Sequence, residues 1–335
     1  MKTNYTEILS LFSGERIPKS PVFSGLIHVT VDGLESEELK LHEVHHESGK
    51  MARAAASTFK TTGMPSATLP LDLCAPAEAL GAELNFYEGE ELGFPQAKQY
   101  LFPSTKYLNE AYFKSTGFAT AGRLLIIYDA VRLLKEDIGT DAVISGMIPG
   151  PYTLLYYLIE AGGLFAEMKH EPNAVLDALV HLSSFLAEIG NAYREAGADF
   201  ITIHDMGGSA GFIGPSKYEQ FVFLSERDLI ERLPKPCVLS VCGNMDKSLH
   251  LLAQTGADAV SLDQLTNLKF AREVLKDTML FGNIDPVATL LRGNEVDITE
   301  AVIGVQEAGV DAVWPGCDLV PSTPIQNIQT MIGIL

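Results

Sequence analysis

Eight short apolar runs recur along the 335-residue chain, each closed by a turn signal. They are PVFSGLIHV (21–29), ATLPLDL (67–73), DAVISGMI (141–148), DFITIHDM (199–206), PCVLSVCG (236–243), AVSLDQ (259–264), TMLFGNI (278–284) and AVWPGC (312–317). Several are near-continuous rather than alternating, as strands covered on both faces should be. Between them the apolar positions shift to helical spacing, over 49–63, 117–136, 172–197, 216–233, 246–256, 267–277, 297–309 and 323–335. The longest of these has Pro172 in its first turn and Gly197 as its expected stop. The phrases EAGADFITI, QTGADAVSL and EAGVDAVWP repeat one helix–Gly–strand unit. Strands alternating with helices in this way predict an α/β fold, a (β/α)8 TIM-type barrel forming a single domain over 1–335. A long insertion, 74–140, separates strands two and three, and FYEGEELGFP (86–95) within it predicts a small hairpin. A doubly wound sheet would need a GxGxxG turn after the first strand, and PVFSGLIHVT has none.

Composition excludes several classes of function. At 47% hydrophobic residues the chain is too apolar for a disordered protein. Lys and Arg number 24 against 43 Asp and Glu, a net charge of −19, with no basic stripe for nucleic-acid phosphates. No apolar run is long enough to span a bilayer, and MKTNYTEILSLFSGERIP lacks the core of a signal peptide, so a cytoplasmic protein without membrane partners is expected. Four cysteines are too few for a disulfide framework.

In such a barrel the chemistry lies at the C-terminal strand ends. The predicted ends carry His28, Asp72 with Cys74, Met147 to Gly150, His204 with Asp205, Ser240 with Cys242, Asp263, Asn283 with Asp285, and Cys317. Cys242 and Cys317 end strands five and eight, each beside a glycine. They are either two buried small hydrophobes or two thiolates of an open zinc site, in which case their sulfurs should lie within about 4 Å. Cys237 starts strand five and belongs at the opposite end of the barrel. Asp205 either positions substrate or caps the turn that follows it. The run GGSAGFIG (207–214) is either an anion-binding loop or a plain connection. HEVHHE (42–47) reads as a surface helix face, with a second metal site as its alternative. Asp72 and Glu78 border the pocket or cap the short helix APAEAL; His170, His181 and His250 read as structural.

Several segments resemble the uroporphyrinogen decarboxylase superfamily, and in particular its methylcobamide:coenzyme M methyltransferase branch. They are PLDLCAPAEALGAELNF (70–86), the turn GMIPGPYTLLYYLIEAG (146–162), SVCG (240–243), FGNIDP (281–286) and the ending WPGCDLVPSTPIQNIQTM (314–331). In that branch an H-x-C…C set binds zinc, which activates the thiol that accepts the methyl group. The resemblance therefore implies a corrinoid-dependent methyltransferase with zinc as cofactor. A methylcobamide presented by a corrinoid protein would be the donor, and a coenzyme M-like thiol or a related small molecule, another thiol or tetrahydrofolate, the acceptor. Cys242 and Cys317 match the two cysteines, and Asp263 falls where a carboxylate lies near the metal. The histidine position is Ser240 here, a poor ligand, and His204 on the neighbouring strand end is the expected replacement. Asp205 and Asp263 are the expected catalytic carboxylates, and His28, His204, Ser240 and Asn283 the expected substrate-lining residues. The alternative function is a metal-free decarboxylase or lyase using Asp205 and His204. Decarboxylation of an octacarboxylate calls for an arginine-rich first turn, and PVFSGLIHVT has no basic residue. A corrinoid carrier module would need D-x-H-x-x-G, which is absent.

Overall fold

The computed structural model describes residues 4–15, 17–90, 93–114 and 117–334. Among the described residues nine strands occur in chain order: β1 (Ser66–Leu69), β2 (Leu84–Asn85), β3 (Gln96–Ala97), β4 (Val143–Pro149), β5 (Phe200–Asp205), β6 (Cys237–Val241), β7 (Ala259–Leu262), β8 (Met279–Ile284) and β9 (Ala312–Pro315). Seven form one parallel sheet, ordered β1-β4-β5-β6-β7-β8-β9. β4 and β5 are buried at every position, because the helices that return the chain between parallel strands cover the outer face.

The predicted first strand, 21–29, is not a regular strand. It touches β9 through a single bridge, Val22 with Val313. Three of its other amides bond to side chains instead: Ser24 N to Ser66 Oγ at 2.9 Å, Leu26 N to Ser24 Oγ at 3.0 Å and Ile27 N to Asp318 Oδ1 at 2.8 Å. His28 completes the seam, with Nδ1 2.7 Å from Leu26 O and Nε2 2.9 Å from Ser66 O. The segment therefore joins the β9 edge to the β1 edge and closes the barrel without a hydrogen-bond ladder.

The helix Asn4–Phe12 seals the N-terminal end of the barrel. Ile8 and Leu11 pack with Phe23, Phe200, Val238, Phe281 and Trp314 in one buried cluster. Phe12, Phe23, Phe200, Phe281 and Trp314 meet with ring centroids 5.0–6.2 Å apart, most of them edge-on. One end is thus filled with hydrocarbon, which leaves the other end for polar chemistry.

Helix bounds differ from expectation where local backbone intervenes. The 117–136 helix begins only at Leu124, after a separate turn Phe118–Thr120, because Gly122 takes a φ of 56° that an α-helix cannot continue through. The 216–233 stretch is helical but contains a π-turn, Tyr218–Val222. The 246–256 helix shrinks to Leu249–Leu252. The turn expected after strand three is instead the helix Pro151–Leu158, which starts two residues beyond β4 with Pro151 at its first position. The hairpin expected around 86–95 is present as the antiparallel pair β2 and β3, although residues 91–92 of its connection lie outside the described residues. Helix Pro172–Ala196 ends as predicted, on Gly197 at φ 115°.

Candidate active site

Register places the site. On adjacent strands, His204 of β5 pairs with Ser240 of β6, and Ser240 pairs with Ser261 of β7. Directly paired residues of a parallel sheet point to the same face, so all three project into the barrel. Cys242 lies two residues beyond Ser240 and keeps its direction. Cys317 enters from the loop after β9, where Gly316 lies against the β7 loop: a Cβ at 316 would sit 2.9 Å from Gln264 N.

These elements bring three donors together. Cys242 Sγ and Cys317 Sγ are 2.8 Å apart, and His204 Nε2 lies 3.9 Å from the first and 4.0 Å from the second. Among the described residues this is the group of His, Cys and carboxylate side chains able to share a metal ion. The sulfurs are too far apart for a disulfide of about 2.05 Å. Two sulfurs, one imidazole nitrogen and an open side suit zinc in a catalytic setting. Asp318, next to Cys317, faces the imidazole with Oδ2 3.5 Å from Nε2.

Opposite charges sit side by side in the cluster. Burial pushes the His204 imidazole down, but Asp318 and Cys317 outweigh it and carry it up to about 10. Cys242 and Cys317 share one proton: the hydrogen bond between them holds the Cys317 thiol below its ordinary value and Cys242 above it. A negative sulfur and a positive imidazole stabilise each other here, and a metal ion held by the three would displace their protons.

Not every expected residue joins the triad. Asp263 stands apart, with Oδ1 accepting from Leu265 N at 2.8 Å. Asn283 ties that same loop down, its Nδ2 donating to Asp263 O and Thr266 O at 3.0 and 3.1 Å. Asp285 caps the helix that follows, accepting from Val287 N and Ala288 N. His28 is 3% exposed and belongs to the barrel seam described above. Ser240 Oγ is buried without a hydrogen-bond partner among the described residues. Cys237 sits at the start of β6, at the far end of the barrel, as its position predicted. Cys74 leads into the helix Ala75–Ala79, and burial pushes its thiol up to about 12.

Asp205 is fully buried and anchors the loop beyond β5. Its Oδ1 accepts from Thr153 Oγ1 at 2.9 Å and from Gly208 N at 2.6 Å. Its Oδ2 and the Oε1 of Glu226 are both buried without a hydrogen-bond partner among the described residues, and the fully buried Glu226 accepts from Tyr218 OH at 2.7 Å through its other oxygen. Two neighbouring buried carboxyl groups are accommodated when one keeps its proton. Burial, then the neighbouring Asp205, raises Glu226 well above the carboxylate range, so Glu226 keeps it. The folded protein thus retains a proton that the unfolded chain releases above about pH 4.3, and stability falls as pH rises from there. Glu226→Gln carries a permanent donor in the same shape. It should gain stability over the parent as pH rises, by about 1 kcal/mol or more at pH 8. Denaturation midpoints at pH 5 and 8 check this; parallel slopes for the two proteins would count against a shared proton.

A cavity of about 500 Å³ opens beside the triad, with Cys74, Tyr100, Tyr156, Tyr157, Met206 and Asp318 on its walls. A buried ion network borders it. Arg123 donates to Asp72 through both terminal nitrogens, at 2.9 and 3.1 Å, and to Glu78 through Nε at 2.6 Å. His45 Nδ1 lies 3.6 Å from Asp72, and the residue is fully buried. HEVHHE is therefore no surface helix face. It contributes a short 3-10 turn, Leu41–Glu43, and drives His45 into the interior against Asp72. Asp72 both receives the arginine and caps the helix Ala75–Ala79 through Cys74 N and Ala75 N, so both readings of its role hold.

Sequence reasoning missed Asp318, Arg123 and the tyrosine wall. Asp318 had a signal, since it directly follows a candidate ligand. Arg123 had none: its partners lie 45 and 51 residues away.

The chain matches the uroporphyrinogen decarboxylase (URO-D) family over residues 3–335. It belongs to that family. It is 28% identical to the methylcobamide:CoM methyltransferase MtbA of Methanosarcina acetivorans, over 98% of this chain and 97% of that protein. A uroporphyrinogen decarboxylase of Citrifermentans bemidjiense is 29% identical over 70% of this chain and 68% of its own. A solved methyltransferase from Methanosarcina mazei superposes with a TM-score of 0.93 at 26% identity, covering 100% of this chain and 98% of that one. The family relationship and this superposition confirm the barrel fold expected from the strand and helix pattern. Among the described residues, no helix is long and apolar enough to cross a membrane.

Proposed function

We propose that this protein is a zinc-dependent methyltransferase. It takes a methyl group from a methylcorrinoid presented by a partner protein and delivers it to a small-molecule thiol. The observation that carries this reading is the convergence of His204 Nε2 with two cysteine sulfurs at the open end of the barrel. The near full-length similarity to a methylcobamide:CoM methyltransferase supports the same assignment. The decarboxylase alternative lacks what its substrate needs: among the described residues lining the cavity, the only base is Lys98.

His204, Cys242 and Cys317 would hold the zinc ion. Bound there, zinc would lower the pKa of the acceptor thiol by direct coordination. The chain supplies the rest. Asp318 Oδ2, 3.5 Å from His204 Nε2, would stand beside the bound ion. The Asp205–Glu226 pair and Thr153 fix the loop carrying Met206 at the cavity mouth, through bonds to Met206 N, Gly207 N and Gly208 N. Tyr156, Tyr157 and Met206 restrict water around the sulfur. In the transfer the S–CH3 bond forms as the cobalt–carbon bond breaks, and the bonding pair stays with cobalt. The protein's part is alignment of sulfur and methyl, which is worth several powers of ten in rate.

The ladder explains how the site tolerates Ser240. Position 204 is its direct partner on the next strand, so an imidazole moved from β6 to β5 still faces the cysteines. Competition with a coloured chelator tests this. The parent should bind one zinc per chain, Cys242→Ala should lose it, and His204→Ala should weaken it by about tenfold or more. Ser240→His added to His204→Ala should restore affinity. Zinc affinity indifferent to His204 and Cys242 would overturn the assignment.

A further inference from the structure

Register sets three polar side chains in one row, with His204 of the triad at its end. His204 of β5 pairs with Ser240 of β6, and Ser240 with Ser261 of β7. All three residues are at most 1% exposed. His204 Nδ1, Ser240 Oγ and Ser261 Oγ are each buried without a hydrogen-bond partner among the described residues. A single such atom would only cost stability, whereas three on adjacent rungs can satisfy one another. Neighbouring strands lie about 4.8 Å apart, so a hydroxyl one bond beyond Cβ reaches the side chain of its ladder partner, directly or through one buried water. The barrel interior already holds a hydroxyl pair across two strands: Ser145 Oγ of β4 and Thr202 Oγ1 of β5 are 2.8 Å apart.

The row acts on the triad through the second nitrogen of the imidazole. The contacts of His204 with Cys242, Cys317 and Asp318 are all made by Nε2. An imidazole that gives Nε2 to a metal keeps its proton on Nδ1, and that buried N–H needs an acceptor. On the β4 flank the ladder partner of His204 is Pro149, whose side chain offers none. On the β6 flank it is Ser240. We infer that Ser240 is a positioning residue: its hydroxyl accepts from Nδ1–H of His204 and donates its own hydrogen toward Ser261 Oγ, fixing the tautomer that leaves Nε2 for the metal. Serine at 240 thus supports the imidazole on the next strand instead of binding the ion itself. This inference rests on the reading of His204, Cys242 and Cys317 as a zinc site, and it names a residue that serves that site through His204.

The test follows the full-length protein in two states. With zinc as the probe, chelator competition should show Ser240→Ala binding about tenfold or more weaker than the parent, the usual cost of removing the outer partner of a metal-bound histidine. Ser240→Thr keeps the hydroxyl and should stay within about threefold of the parent, with Ser261→Ala between the two variants. In the metal-free protein, proton NMR reads the Nδ1 hydrogen of His204, assigned by its loss in His204→Ala. That hydrogen should exchange with solvent about tenfold or more faster in Ser240→Ala, while the denaturation midpoint stays at that of the parent. A serine that merely packs would move the midpoint and leave the exchange rate alone. Zinc affinity that depends on Cys242 but not on Ser240, or equal exchange in the parent and Ser240→Ala, would overturn the inference. Zinc affinity indifferent to Cys242 would count against the proposed function, and the exchange rate would still decide whether Ser240 holds the imidazole.

Discussion

Alanine in place of Cys317 is expected to slow methyl transfer to a thiol by about a thousandfold at pH 7. About thirtyfold comes from ionisation alone, since a free thiol of pKa about 8.5 is only a few per cent thiolate there. The rest comes from losing the fixed position of the sulfur, for which effective molarities leave ample room. The variant should also show a distinct pH profile. Its residual rate should rise about tenfold per pH unit up to the thiol's own pKa, because the acceptor would then ionise by itself. Cys242→Ala should behave alike, and the double variant should be no worse than either single one, as expected of residues that act as a unit. A residual rate within about tenfold of the parent would show that the two sulfurs are packing residues and not metal ligands.

Replacing Arg123 with methionine is expected to destabilise the fold by about 3–5 kcal/mol, the usual cost of stranding one partner of a buried pair. The stranded group is Asp72, 2% exposed and surrounded by the barrel and the insertion. Burial pushes its carboxyl up, but Arg123 and His45 outweigh that and hold it far below the carboxylate range. A depressed folded-state pKa gives stability that is present above the unfolded value of about 3.9 and is lost as pH falls below it. The gap between parent and variant should therefore be full at pH 7 and shrink at pH 3. Adding Asp72→Asn to the variant should recover part of the loss, because the uncompensated charge is gone. Denaturant unfolding at the two pH values checks both points. An Arg123→Met protein as stable as the parent would mean that the arginine serves the cavity and not the fold.

Much of the fold was legible because its signals are local. Apolar runs closed by glycine, helices stopped at Gly197, and the repeated helix–Gly–strand unit are patterns within a few residues of one another. They placed the parallel strands, most of the helices and the hairpin within the insertion. The alternation of residues along a strand put 240 and 242 on one face, and the strand-end rule put Cys242 and Cys317 at one end of the barrel. The first strand misled because PVFSGLIHV has the composition of a strand, while three of its amides are taken by Ser66, Ser24 and Asp318, partners the local pattern does not reveal.

The sequence by itself determined the barrel, the end of it at which Cys242 and Cys317 meet, and His204 as the imidazole expected beside them. Only the tertiary structure decided which carboxylate stands beside that imidazole. Asp263 and Asp318 both follow barrel strands, and both are plausible from position alone. The loop after β7 turns Asp263 onto Leu265 N, whereas the loop after β9 turns Asp318 onto His204. Likewise, only folding joined Arg123 to Asp72 and sank His45 beside them. Periodicity fixes the face a residue takes within its own element. The distance between two elements depends on register, barrel closure and loop path, and these are settled by packing across the whole chain.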